Sequence, residues 1–270
     1  YHLRKNAQPQ SYAIGVKEVW RVDNEAFEDG LAIHTIGWPL DADTYGGSFI
    51  YHYQKDRIAI GLVIGLDFKN PYLNPHSELQ RFKHHPKIKP MFEHGTCLGY
   101  GSRALNEGGI QAIPQLTFPG GVIVGCAAGF LNNVRIKGTH CAMQSGILAA
   151  QAIYPHLKNN TPSSEIKTYE KNLRASWIIE ELHKVRNIRP GFYHGRLSGL
   201  LNAGFETLTF GHSPWTLSNR VDHLQLEKAS EHTPPNYIKP DGVISFDKLT
   251  SVRLSSTNHT ENQPTHLIRK

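Results

Sequence analysis

The residues best suited to chemistry in this chain are small ones. Residues 118–153 read FPGGVIVGCAAGFLNNVRIKGTHCAMQSGILAAQAI. The pattern predicts a strand at Val122-Ile123-Val124, a glycine-broken turn, and a helix starting near Gly138-Thr139. Gly125 and Gly129 allow the backbone to approach a ligand closely. The helix start directs free N–H groups and a positive dipole end into the turn, a setting that suits a phosphate or a ribityl chain. Asn132 and Thr139 are hydrogen-bonding residues within reach of such a ligand. The same residues also describe an ordinary strand-to-helix connection, and the pattern alone leaves both readings open.

Two further stretches stand out. TYGGSFIYH (44–52) sets Gly46 and Gly47 at the mouth of a strand. Paired glycines there serve as a simple turn, or they let a flat ring lie against peptide groups that can bond a carbonyl ligand. Between 193 and 215, Leu197, Leu200, Leu201, Gly204, Phe205 and Leu208 repeat with the spacing of one helical face. A leucine stripe is usually core. Tyr193, Phe210 and Trp215, with Arg189, Arg196 and Arg220 nearby, also suit a helix lying in a membrane interface.

Other chemistries are missing from the sequence. There is no GxSxG, HExxH or GxxxxGK[ST]. GYGSRA (99–104) matches GxGxxA in letters only, because no strand-then-helix context surrounds it. Cys97, Cys126 and Cys141 form no CxxC and suggest no disulfide framework, zinc site or iron–sulfur site. The chain has 270 residues, 39% apolar and 19% charged, with a formal charge of +6. Its bases do not run together among aromatics, so nucleic-acid binding is not expected. The spread-out charge fits an anionic membrane surface or an acidic partner.

The elements that must position these residues can be read in outline. Segments 11–22, 30–40, 47–53 and 57–67 are β-branched and aromatic-rich with short connectors, which predicts an antiparallel sheet of about four strands over 10–68. A short helix is expected in 74–86, with Ser77 near its start and Pro86 as its stop. Residues 99–109 read as glycine-rich loop. One long helix is expected over 161–190, capped by Thr161 with Pro162 in its first turn. Residues 241–255 read as a strand and turn. No run of apolar residues is long enough to span a membrane. Tyr1-His2-Leu3-Arg4-Lys5 is not a signal peptide, and the chain reads as a fragment.

Five blocks then carry a resemblance: HTIGWPLDADTYGGSFIYHY, GYGSRALNEGGIQAIPQLTFPGG, GFLNNVRIKGTHCAMQSGILAA, VRNIRPGF and SSTNHTENQPTHL. Together they resemble the electron transfer flavoprotein–ubiquinone oxidoreductases, over essentially the whole chain. The resemblance implies a mixed α+β and α/β fold: a partial glutathione-reductase-like FAD domain, an inserted antiparallel-sheet quinone-binding domain, and the start of a ferredoxin-like cluster domain. It implies FAD, a 4Fe-4S cluster and ubiquinone as acceptor. Electron transfer flavoprotein is the implied partner, on a bacterial or mitochondrial inner membrane.

By motif, Gly46 and Gly47 fall at the family's ubiquinone contacts. Gly125, Gly129, Asn132, Gly138 and Thr139 fall in the second FAD-binding segment. Leu197, Leu200, Leu201, Phe205 and Leu208 fall in a membrane-associated region. The domain layout this implies is 1–9 as the end of a preceding FAD segment, 10–110 for ubiquinone, 110–218 for the returning FAD segment, and 219–270 for the start of the cluster domain. An upstream GxGxxG and four downstream cluster cysteines are expected outside the chain. Related FixC-type and geranylgeranyl reductase flavoproteins resemble GDAAGF where this chain has GCAAGF, so Cys126 favours the quinone oxidoreductases. The alternatives are such a flavoprotein with another acceptor, or a membrane-associated remnant without cofactors.

Overall fold

A computed structural model of the chain describes residues 2–159 and 165–264. The expected cap at Thr161 and the proline at 162 lie outside the described residues. Five strands make one antiparallel sheet: β1 (Tyr12–Arg21), β2 (Ala32–Ile36), β3 (Gly46–Tyr53), β4 (Arg57–Gly65) and β5 (Thr96–Asn106), in the order β2-β3-β4-β1-β5. The short connectors set the antiparallel pairing of neighbours β2–β3 and β3–β4. Helix α1 (Pro75–Lys83) covers one face, and Asn74 caps it by accepting from the Ser77 N–H. Trp20, Ile50, Ile58, Ile60, Leu62 and Ile64 point into a core closed by Leu79 and Phe82 of α1.

One ion pair lies fully inside this half. Lys83 Nζ is 2.6 Å from Glu18 Oε2, and both side chains are completely buried. Gln80 and Trp20 donate to the same carboxylate, at 2.9 and 2.8 Å. Burial lowers the Lys83 pKa, and Glu18 opposes that shift. The Glu18 carboxylate of β1 thus holds α1 through two donors, Gln80 and Lys83, with Trp20 of its own strand as the third partner.

The second half begins with the hairpin β6 (Thr117–Phe118) and β7 (Gly121–Val122). Short α2 (Gly125–Ala128) and long α3 (Thr139–Lys158) follow, then α4 (Lys167–Arg174), α5 (Trp177–Lys184), α6 (Ile188–Gly191) and α7 (Arg196–Leu208). Its core joins Ala128, Phe130, Cys141 and Ala149 to Tyr169, Leu173, Ile178 and Leu182. The small residues of α3 allow this close packing, and the Tyr169 hydroxyl donates to the Ile123 carbonyl at 3.0 Å. Helix α8 (Lys248–Leu254) returns to the sheet and rests on β5.

Four expectations are corrected. Residues 99–106 are the greater part of β5, so the sheet has five strands. Glycines weaken a strand, but β1 pairs with this one along nearly its whole length and supplies the ladder that its composition does not favour. Residues 241–255 hold no strand. The Asp241 carboxylate accepts from the N–H groups of Val243, Ile244 and Ser245, and Asp247 caps α8 by accepting from Thr250. The long helix is broken into α4, α5 and α6. At the first break the Ser176 hydroxyl donates back to the Leu173 carbonyl at 2.6 Å, a local bond that competes with the helix. The strand expected at 122–124 is only the two-residue β7.

Candidate functional site

An apolar cavity of about 370 Å³ opens between the two halves. Gly46, Gly47, Val63 and Leu105 wall it from the sheet; Leu131, Val134 and Ile136 wall it from the loop between α2 and α3. Ile188 and Phe192 close another side. The glycine pair therefore faces the loop before α3, although Gly125, Gly129, Asn132, Gly138 and Thr139 are not among the residues that line this space.

Sheet packing explains why the pair is glycine. A Cβ at Gly46 would stand 2.4 Å from the Val63 carbonyl oxygen and 2.5 Å from Leu40. A Cβ at Gly47 would stand 2.5 Å from the Thr35 carbonyl oxygen. The two carbonyl contacts are with the backbone of neighbouring strands, so any side chain there must displace a strand. The lack of a side chain also leaves peptide groups bare on the cavity wall.

The turn residues have different settings. Gly125 and Gly129 have φ of 62° and 93°, the left-handed region that favours glycine. The Gly125 N–H donates to Ser145 Oγ of α3 at 3.0 Å, tying the turn to the helix. Asn132 is buried and engaged: its Nδ2 donates to Glu181 Oε1 at 2.7 Å, and its Oδ1 accepts from the Arg135 N–H at 3.1 Å. It closes a small loop by backbone pairing with Lys137. Gly138 precedes α3 and offers no side-chain cap, and Thr139 is exposed at the first turn. The α3 start thus keeps uncapped N–H groups, the kind of end that receives an anionic or strongly accepting group.

Beside the cavity is a charge cluster that sequence reasoning did not find. Glu107, which lines the cavity, sits after β5, Asp67 after β4, and Arg189 in α6. Arg189 donates to Asp67 Oδ1 at 2.8 Å, and its Nε is 3.5 Å from Glu107 Oε2. The Tyr45 ring lies against the guanidinium at 4.0 Å. Burial pushes the Glu107 carboxyl up to about 7; Arg189 opposes this and Asp67 adds to it. Burial opposes the charged form of Arg189, but Asp67, Tyr45 and Glu107 outweigh it and raise its pKa. Burial also raises the Tyr45 phenol. No sequence spacing links these residues; the only signal was an ionisable residue among glycine, proline and apolar neighbours, in LNEGG and NIRPGF.

Helix α7 is the third feature, and its orientation is unusual. Gly199 and Glu206 are buried, whereas Leu197, Leu201 and Leu208 are 74%, 69% and 81% exposed. Leu200 and Phe205 are also exposed. The inward face is held by polar bonds: Asn187 Nδ2 donates to Glu206 Oε1 at 3.0 Å, and Asn202 Nδ2 to the Asn187 carbonyl at 2.9 Å. Gly199 leaves space for the Phe192 ring. Trp215 stacks on Phe205 with centroids 5.8 Å apart. Among the described residues, no helix is long and apolar enough to cross a membrane.

The three cysteines are unpaired, and among the described residues a group of metal-binding type comprises His140, Cys141 and Glu181. Glu181 already accepts from Asn132 and pairs with His140 at 2.9 Å, and Arg135 approaches it at 3.8 Å. The start of α3 adds further positive potential. The group is an ion-pair knot, and with one thiol it does not fit an iron–sulfur cluster.

Residues 12–105 match a family model described as ETF-QO, ubiquinone-binding, and residues 242–270 match one described as electron transfer flavoprotein-ubiquinone oxidoreductase, 4Fe-4S. The chain is 50% identical over its full length to the mitochondrial electron transfer flavoprotein-ubiquinone oxidoreductase of Bos taurus, covering 46% of it. It is 51% identical to that of Arabidopsis thaliana over 99% of this chain and 42% of the relative. The chain therefore spans a little under half the length of these relatives. A geranylgeranyl bacteriochlorophyll reductase-like structure from Thermoplasma acidophilum aligns with 91% of this chain and 52% of its own, at 15% identity and a TM-score of 0.49. The fold is α+β around an antiparallel sheet, and the sequence matches are to oxidoreductases. Identity at this level along the whole chain is specific: the chain belongs to the electron transfer flavoprotein–ubiquinone oxidoreductase family.

Proposed function

We propose that this chain is the middle portion of an enzyme that passes electrons from reduced electron transfer flavoprotein to ubiquinone. The observation that carries the reading is the cavity where Gly46 and Gly47 meet the loop leading into α3. Ubiquinone has a flat, carbonyl-bearing head and an apolar tail, and it needs an apolar slot with bare peptide groups at one end. We assign 10–110 to quinone binding, 110–218 to the returning half of an FAD domain, and 219–270 to the start of a ferredoxin-like cluster domain, with 1–9 ending a preceding FAD segment.

The uncapped start of α3 and the left-handed turns at Gly125 and Gly129 fit one end of a flavin. Gly125 and Gly129 permit its close approach, and Thr139 and the first N–H groups of α3 are its donors. The Asn132 side chain is committed to Glu181, so its part is to hold the loop in shape. Bound FAD supplies the redox chemistry. The described residues offer no set of cysteines for a 4Fe-4S cluster, whose ligands this reading puts outside the chain.

The outward leucines of α7 suit a protein resting on a bilayer. Leu197, Leu200, Leu201, Phe205 and Leu208 would enter the interface without spanning it. The mitochondrial relatives favour a mitochondrial inner membrane, and a bacterial one offers the same interface.

The test is Gly47→Val in the full-length protein. Even a Cβ collides with the Thr35 carbonyl, so β2 must shift and the cavity narrow. Reduction of decylubiquinone should fall at least about tenfold while FAD content stays normal. Undiminished quinone reduction by a folded, flavin-loaded variant would overturn the assignment.

A further inference from the structure

Glu107 is a buried acid facing a cavity to which the reading above gives no proton source. Only 5% of the residue is exposed, and it lines the space that Gly46 and Gly47 also line. Its Oε2 has no hydrogen-bond partner, nor do Nε and Nη1 of Arg189. Two carboxylates, Glu107 buried and Asp67 partly so, thus share one guanidinium, and Asp67 holds the nearer place, 2.8 Å against 3.5 Å.

The charge arithmetic decides which carboxyl keeps a proton. One Arg neutralises one carboxylate; a second carboxylate in the same dry site carries an uncompensated charge. Among the described residues Arg189 is the cation paired with Glu107; Arg220, on the Tyr193 ring at 4.9 Å, bonds the Tyr193 carbonyl and His194 instead. Tyr45 and Tyr193 lie against Arg189 as rings, at 4.0 and 5.4 Å. Asp222, which accepts from the Tyr12 N–H and the Ser11 hydroxyl, adds negative potential. Glu107, the more weakly paired acid, is therefore the one that stays protonated, and Arg189 stands ready to receive its charge once the proton leaves.

The cluster also adjoins the glycine pair. Gly46 pairs with Ile64 across the sheet, and the next residue, Gly65, is so close to the cluster that a Cβ there would meet Asp67 Oδ1 at 2.7 Å and Arg189 Nη2 at 2.9 Å.

We propose that Glu107 is the proton donor of this cavity, passing its carboxyl proton to a carbonyl oxygen of a quinone bound against Gly46 and Gly47. The inference rests on the quinone reading given above. The quinone takes an electron pair drawn from reduced electron transfer flavoprotein, and each C=O becomes C–O–H. One proton comes from Glu107, whose carboxylate is then held by Arg189. A proton relayed from bulk solvent by water at the cavity mouth restores Glu107, and a second solvent proton, delivered by water to the quinone's other carbonyl oxygen, completes the quinol. Two electrons and two protons are consumed for each quinone.

The experiment uses the full-length, flavin-loaded protein with decylubiquinone, comparing wild type, Glu107→Gln and Glu107→Asp. Wild-type turnover should fall as pH rises through about 7, because only the protonated carboxyl donates. Glu107→Gln should lower turnover about a hundredfold and lose that pH limb, and Glu107→Asp should recover part of both. Decylubiquinone affinity, read by equilibrium binding, should change by less than about threefold, which separates proton delivery from binding. A readout independent of turnover is the infrared difference spectrum between pH 6 and pH 8. A protonated-carboxyl band should disappear in the wild type and be absent from Glu107→Gln; if that variant does not fold, the band should shift in Glu107→Asp. Wild-type turnover and pH profile in Glu107→Gln, or an infrared band indifferent to residue 107, overturns the proposal. If Gly47→Val reduces quinone normally, the quinone site is what fails. If Gly47→Val is blocked and Glu107→Gln is not, only the proton donor fails.

Discussion

Replacing Leu197, Leu201 and Leu208 by serine should release the full-length protein from membranes. Fully burying a leucine side chain contributes about 1.5–3 kcal/mol. These three present 74%, 69% and 81% of their surface, roughly three-quarters each, so transfer of each into a bilayer interface is worth about 1–2 kcal/mol. The triple substitution should cost about 3–6 kcal/mol of membrane affinity, a fall of about 10²- to 10⁴-fold in partition. The helix itself should survive, because its attachment runs through Gly199, Asn202 and Glu206 on the opposite face. The assay is co-sedimentation with vesicles of phosphatidylcholine and cardiolipin, with thermal unfolding as the control for folding. Partition unchanged within a factor of about three would refute the membrane role of this face; a large loss of thermal stability would show that the leucines are core of the longer protein.

Two other outcomes are expected. Glu18→Gln leaves the Lys83 ammonium buried without its counter-ion and should destabilise the full-length protein by about 3–5 kcal/mol in chemical denaturation; a loss under about 1 kcal/mol would mean that Lys83 is neutral or hydrated. Thr139→Ala at the uncapped start of α3 should shift the flavin reduction potential while leaving FAD bound, and an unchanged redox titration would remove Thr139 from the flavin site.

Two segments depart from their residue propensities, for different reasons. GYGSRALN has too many glycines to look like a strand, yet it is one, because β1 supplies its ladder and α8 packs on it. DGVISFDKLTSVRL has strand-like residues, yet Asp241 and Asp247 turn it into a tight loop and a capped helix. In the first, a tertiary neighbour overrode propensity; in the second, local side-chain bonds did.

The features legible along the chain are local and repetitive. Short connectors between β-branched runs set the antiparallel pairing around β3, the spacing of Leu197 to Leu208 set a helix, and five long blocks carried the family resemblance. Which surfaces face each other follows from the folded chain alone. Helical spacing shows that the leucines of α7 share a face, but not that Gly199 and Glu206 take the inside and leave them to solvent. Likewise nothing in LNEGG or NIRPGF reveals that Glu107, Asp67 and Arg189 converge in a dry site. A side chain's ionisation depends on the dielectric and the charges within a few ångströms of it, and those are supplied by residues distant in the chain.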